Sequence, residues 1–99
     1  MKIKYETQNG RFEARLSEKS DWEVFNQIAD SITEEFNGRW IEKVDGLDQR
    51  YWDIEIENER LTLHLEHYLG ISLFSTKDGD EKAQNLVQRI GNYLETKIS

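Results

Sequence analysis

The chain predicts a two-layer α+β domain: a mainly antiparallel sheet of about six strands with two helices on one face, in the order ββ-α-ββββ-α. Three observations predict it. Residues 51–74, YWDIEIENERLTLHLEHYLGISLF, alternate apolar and polar side chains at a period of two on both sides of a tight turn. That is the pattern of an antiparallel sheet with one buried and one wet face. Two other segments, one from Ser20 and one from near Asp80, repeat their apolar residues every three to four positions, as a helix buried along one side does. The N-terminal segment adds a further alternating pair.

That pair is KIKYET and RFEARL, joined by Asn9-Gly10, a turn signal because both residues accept positive φ. A two-residue loop there sets Tyr5 against Ala14 and Ile3 against Leu16, with Phe12 on the same inner side. The first helix follows. Ser20 with Glu23 three residues on matches a capping box. Trp22, Phe25, Ile28, Ala29, Ile32 and Phe36 form its apolar stripe, and Asn37-Gly38 ends it, with Gly38 as the residue suited to a left-handed turn. RWIEKV reads as a third strand whose facing is ambiguous, because Trp40 and Val44 share parity with Glu42 while Ile41 shares it with Arg39 and Lys43.

A two-residue loop at Asn58-Glu59 pairs Ile56 with Leu61, Ile54 with Leu63, Asp53 with His64 and Trp52 with Leu65. A three-residue loop, Tyr68-Leu69-Gly70, then sets Leu65 against Leu73 and His64 against Phe74. The last helix starts at Asp78 or Asp80, either a good cap, and buries Ala83, Leu86, Val87, Ile90, Leu94 and Ile98. Gly91 lies inside it at a cost of ~1 kcal/mol relative to Ala, which marks either close packing or a weak spot. Trp22 and Trp52 fall on apolar stripes and read as core, while the roles of Trp40 and His67 stay open.

Composition narrows the function. Ninety-nine residues fit one domain spanning 1–99. Without cysteine, thiol catalysis, disulfides and zinc-thiolate sites are excluded. No run approaches a membrane span and the N-terminus lacks the apolar core of a signal peptide, so a cytoplasmic location is the expectation. The net charge of −7 repels nucleic acid and favours a basic protein partner.

The outward residues of the alternating segment are the only functional lead. Tyr51, Asp53, Glu55, Thr62, His64, Glu66 and Phe74 would form a flat patch of carboxylates with aromatic anchors. As a binding surface, Tyr51 supplies contact area and the carboxylates accelerate capture of a basic partner. The competing reading is a small acid-base or metal-dependent enzyme in which Asp53 orients His64 and Glu66 acts as a second carboxylate. Against it, the chain has no HExxH, GxSxG or Gly-rich phosphate loop, His67 has the wrong parity to join His64, and an open sheet face lacks concavity. A third reading is an oligomeric interaction module in which this face has no part.

The stretch RYWDIEIENERLTLHLEHYLGISLF, preceded by IEKVDGLDQ, resembles small uncharacterised bacterial domains, some of them similar to the immunity proteins of polymorphic or contact-dependent toxin systems. The resemblance covers roughly residues 40–75. It implies an inhibitor whose acidic surface occludes a basic, nuclease-like toxin domain, and it carries over no catalytic motif and no residue-level pattern. The reading is therefore a non-enzymatic acidic binding protein without cofactor or metal. It takes a basic protein partner through the exposed sheet face, with Asp53, Glu55, His64 and Glu66 for electrostatics and Tyr51 as anchor. Oligomeric state and strand order are left undetermined.

Overall fold

The computed structural model describes residues 2–8, 10–77 and 79–97. Its elements are β1 (Lys4–Gln8), β2 (Arg11–Ser17), α1 (Trp22–Phe36), β3 (Arg39–Asp45), β4 (Gln49–Ile56), β5 (Glu59–Glu66), β6 (Gly70–Ser75) and α2 (Glu81–Lys97). The six strands form one antiparallel sheet in the order β1-β2-β6-β5-β4-β3. The expected α+β architecture is therefore the observed one. Both helices add their apolar stripes to one buried cluster with the inward residues of the sheet, among them Leu16, Ile54, Leu61, Leu63 and Leu73. Among the described residues no helix lies on the opposite face.

The first hairpin pairs Tyr5 with Ala14 and Gln8 with Arg11, as the two-residue connection requires. Gly10 has φ +83°, while Asn9 lies outside the described residues, as do Asp78 and Ile98. Helix α1 is capped differently from the expectation. Asp21, not Ser20, is its N-cap, and its carboxylate accepts from the amides of Glu23 and Val24. Ser20 instead donates to the Glu66 carbonyl at 2.8 Å, tying the helix entry to the end of β5. At the other end the left-handed residue is Asn37, with φ 53°. Gly38 serves another purpose, since a Cβ there would press into the side chains of Ile54 and Ile56.

The ambiguous facing of β3 has a local cause. The register shifts between Trp40, opposite Ile54, and Glu42, opposite Asp53, so the strand bulges at Ile41. The extra residue reverses the parity, which turns Trp40 and Lys43 inward and Glu42 and Val44 outward. Lys43 then lies over the Trp52 ring at 4.3 Å, and Trp40 meets Trp52 edge-on.

Both remaining hairpins correct the expected register by two residues. In β4–β5 the turn is Glu57-Asn58, with φ 52° and 65°, so Ile54 faces Leu61 and Trp52 faces Leu63. Asp53 consequently faces Thr62, not His64. In β5–β6 the loop is residues 67–69, so Leu65 faces Ile71 and His64 faces Ser72. Gly70, at φ 90°, opens β6 where a Cβ would strike the backbone of Ser17 and Glu18. Asp80 caps α2 by accepting from the Ala83 amide. Among the described residues no helix is long and apolar enough to cross a membrane.

Candidate functional site

The open face is built from the outward residues of all six strands. A two-residue shift of register preserves facing, so Tyr51, Asp53, Glu55, Thr62, His64, Glu66 and Phe74 do share one surface. At its centre Tyr51 stacks on its cross-strand partner His64, with ring centres 4.3 Å apart. Phe74 meets His64 edge-on at 6.1 Å, and the Arg11 guanidinium covers Phe74 at 4.1 Å. Val44, opposite Tyr51, extends this row to the edge strand. The result is an aromatic and apolar stripe running across the strands.

The surface is less flat than the alternation implies. Phe74 and Thr62 are buried, at 6% and 5% exposure, so they support the face from beneath and present little of themselves to a partner. His64 is enclosed enough that its Nε2 has no hydrogen-bond partner among the described residues, and Glu66 stands 3.7 Å away. Burial lowers the His64 pKa, with Glu66 and Glu13 opposing that effect and Arg11 adding to it.

The face is also less acidic than expected. Arg60 bonds Asp53 at 2.8 Å and reaches Glu42, Arg39 bonds Glu55 at 2.8 Å, and Arg11 lies 3.4 Å from Glu13. Counted by register, Lys4, Arg11, Arg15, Arg39 and Arg60 share this side with Glu6, Glu13, Glu42, Asp53, Glu55 and Glu66: five cations against six carboxylates. Most of the net charge of −7 therefore lies elsewhere. The segment from Ser20 to Gly38 holds five carboxylates and no Lys or Arg.

The expected Asp53–His64 pair is not formed. Asp53 accepts from Thr62 Oγ1 at Oδ1, 2.7 Å away, and from Arg60 Nε at Oδ2, 2.8 Å away, so both of its carboxylate oxygens are engaged. Among the described residues no group of three or more His, Cys, Asp or Glu side chains is gathered to hold a metal ion. His67 stands apart from His64, packed on Tyr68 with ring centres 3.9 Å apart.

The periodicity of the strands did not reveal a second feature. Among the described residues the large exposed apolar side chains are Ile41, Val44, Leu47, Tyr51, Tyr68 and Leu69. All belong to β3, to β4 beside it, or to the two loops at one end of the sheet. Those loops are joined, because the His67 amide donates to the Asp48 carbonyl at 3.0 Å. Leu47 is wholly exposed and Tyr68 is 89% exposed. Their sequence signal was an apolar residue isolated among acids, DGLDQ, and a Tyr-Leu pair inside a turn.

No curated protein and no solved structure matches this chain. A family model described as protein of unknown function (DUF3630) matches residues 1–90. Since that match takes in β1 through most of α2, the chain belongs to the DUF3630 family.

Proposed function

We propose that this protein is a non-enzymatic binding domain that takes a basic protein partner at the open sheet face and the loop end adjoining it. The observation that carries the reading is the gathering of exposed apolar side chains, Val44, Leu47, Tyr51, Tyr68 and Leu69, on one corner of the molecule. A contiguous exposed apolar patch rimmed by polar groups is the usual mark of a protein contact. The net charge of −7 supplies the long-range field that selects a basic partner and speeds its arrival. Balanced ion pairs on the face itself leave the apolar stripe to provide most of the affinity. A toxin domain with a basic cleft has this chemistry, and neutralising it in the manner of an immunity protein is the form the function takes.

The test starts from the purified products of neighbouring open reading frames, titrated against the native protein and a Leu47→Ser/Tyr51→Ala variant. A basic product should bind the native protein, with an association rate that falls as salt is raised. The variant, with unchanged circular dichroism, should bind it at least tenfold more weakly, a loss of about 1.4 kcal/mol. Equal affinity of the two proteins for that partner would remove this corner from consideration.

A further inference from the structure

We propose that two copies of this chain associate across the groove where β2 runs into α1, each laying the acidic stripe of its α1 against the basic wall of the other. The groove has a volume of about 770 Å³. Lys2, Lys4, Arg15 and Lys19 line it together with Val24 and Gln27 of α1. Two carboxylates, Glu6 and Glu18, share it, and Glu18 lies 3.6 Å from Lys4. Four of the thirteen Lys and Arg residues of a strongly acidic chain thus meet at one concavity.

The occupant follows from what adjoins that wall. Glu23, Gln27, Asp30 and Glu34 lie at i, i+4, i+7 and i+11, which places them along one side of α1. Gln27 lies within the stripe and also lines the groove, so basic and acidic surfaces meet along it. Glu23, Asp30 and Glu34 are exposed, and none is in an ion pair among the described residues. A surface with one basic and one acidic half becomes complementary to itself under a two-fold rotation. Both contacts then form twice and the assembly closes as a dimer. The mutual repulsion of two −7 bodies acts over distance and is damped beyond the roughly 8 Å screening length of physiological salt, whereas ion pairs at contact are damped least.

Sedimentation velocity over a concentration series, at physiological salt, where the long-range repulsion is already screened, and at high salt, tests this directly. The native chain should dimerise reversibly, and high salt should weaken the dimer. Lys2→Glu/Lys4→Glu and Asp30→Lys/Glu34→Lys should each weaken it at least tenfold, and an equimolar mixture of the two should restore a heterodimer. If either double variant loses its circular dichroism signal, Lys19→Glu mixed with Glu23→Lys makes the same test. A chain that stays monomeric at every salt and concentration, or variants that dimerise like the native protein, would overturn the proposal. The Leu47→Ser/Tyr51→Ala variant should dimerise normally, which separates this surface from the partner-binding corner.

Discussion

The guanidinium of Arg50 lies 4.1 Å from the centre of the Trp22 ring and 4.6 Å from that of Trp52. A cation from β4 is thereby enclosed between α1 and the sheet, its side chain only 14% exposed. Its Nη1 donates to Asn26 Oδ1 at 2.8 Å, and its Nε stands 3.1 Å from Asp45, which also accepts from the Trp52 indole at 2.7 Å. Trp22, read as core from its stripe, is a half-buried lid on this cation. The arrangement ties the first turn of α1 to β4 and to the end of β3 through one planar group.

Replacing Arg50 with Ala should therefore cost about 2 kcal/mol, the scale of a desolvated cation–π contact. Arg50→Lys should recover only part of this, because an ammonium cannot stack on two indoles while bonding Asn26 and lying beside Asp45. Urea denaturation of the three proteins checks both statements. Native stability in Arg50→Ala would mean that the rings pack equally well without the cation.

Gly91 sits in α2 where a Cβ would collide with the Tyr5 hydroxyl. Tyr5 is itself held, stacked on Phe12 at 5.6 Å and donating to Asn92 at 3.4 Å. Gly91→Ala alone should be destabilising despite the ~1 kcal/mol it gains in helix propensity. In a Tyr5→Phe background the clash eases and the same substitution should cost less or turn favourable. The coupling appears as non-additivity in a double-mutant cycle, and additive effects would show the ring moving aside freely.

The depressed pKa of His64 makes an acid-side prediction whose sign is definite. Burial disfavours the charged imidazole in the folded protein, so the unfolded chain binds the proton more readily. Above the ordinary value of 6.5 the effect is absent. Below it the unfolded state gains protons first, and stability should fall with pH until the folded pKa is reached. His64→Gln should flatten the curve of unfolding free energy against pH in this window. An unchanged slope would assign the acid sensitivity to the carboxylates.

The open face and its residues were legible in the sequence because alternation encodes facing, and facing survives a slip of two. Which residues meet across the strands was not legible. In either register inward residues oppose inward ones, although the observed register sets Ile56 against Glu59 and Leu65 against Arg50, so facing alone is blind to a two-residue shift. The turn decides, and it is held from outside the hairpin: Glu57 takes both Nη groups of Arg89 on α2 at 2.9 Å each. Those bonds also hold the Glu57 carboxyl below its usual range. The expected Asp53–His64 pair failed for this reason.

Charge on the face was misread for a related reason. Counting Asp and Glu along β4 and β5 leaves out Arg39, Arg60 and Arg11, which arrive from neighbouring strands or the far end of the hairpin. Ser20 satisfied the capping pattern equally well, yet its hydroxyl was claimed by the Glu66 carbonyl once β5 lay beside it. The bulge at Ile41 was present in the sequence only as a contradiction of parity.

The sequence by itself determined the element order, which side of every strand but β3 is apolar, the two helix stripes and the excess of negative charge. These depend on the period and type of neighbouring residues, which local geometry enforces. Tertiary structure alone decided the register of both C-terminal hairpins, the partner of each carboxylate and the corner where exposed apolar side chains collect. Those outcomes depend on groups far apart in the chain, such as Glu57 and Arg89, and no local periodicity records which of them meet.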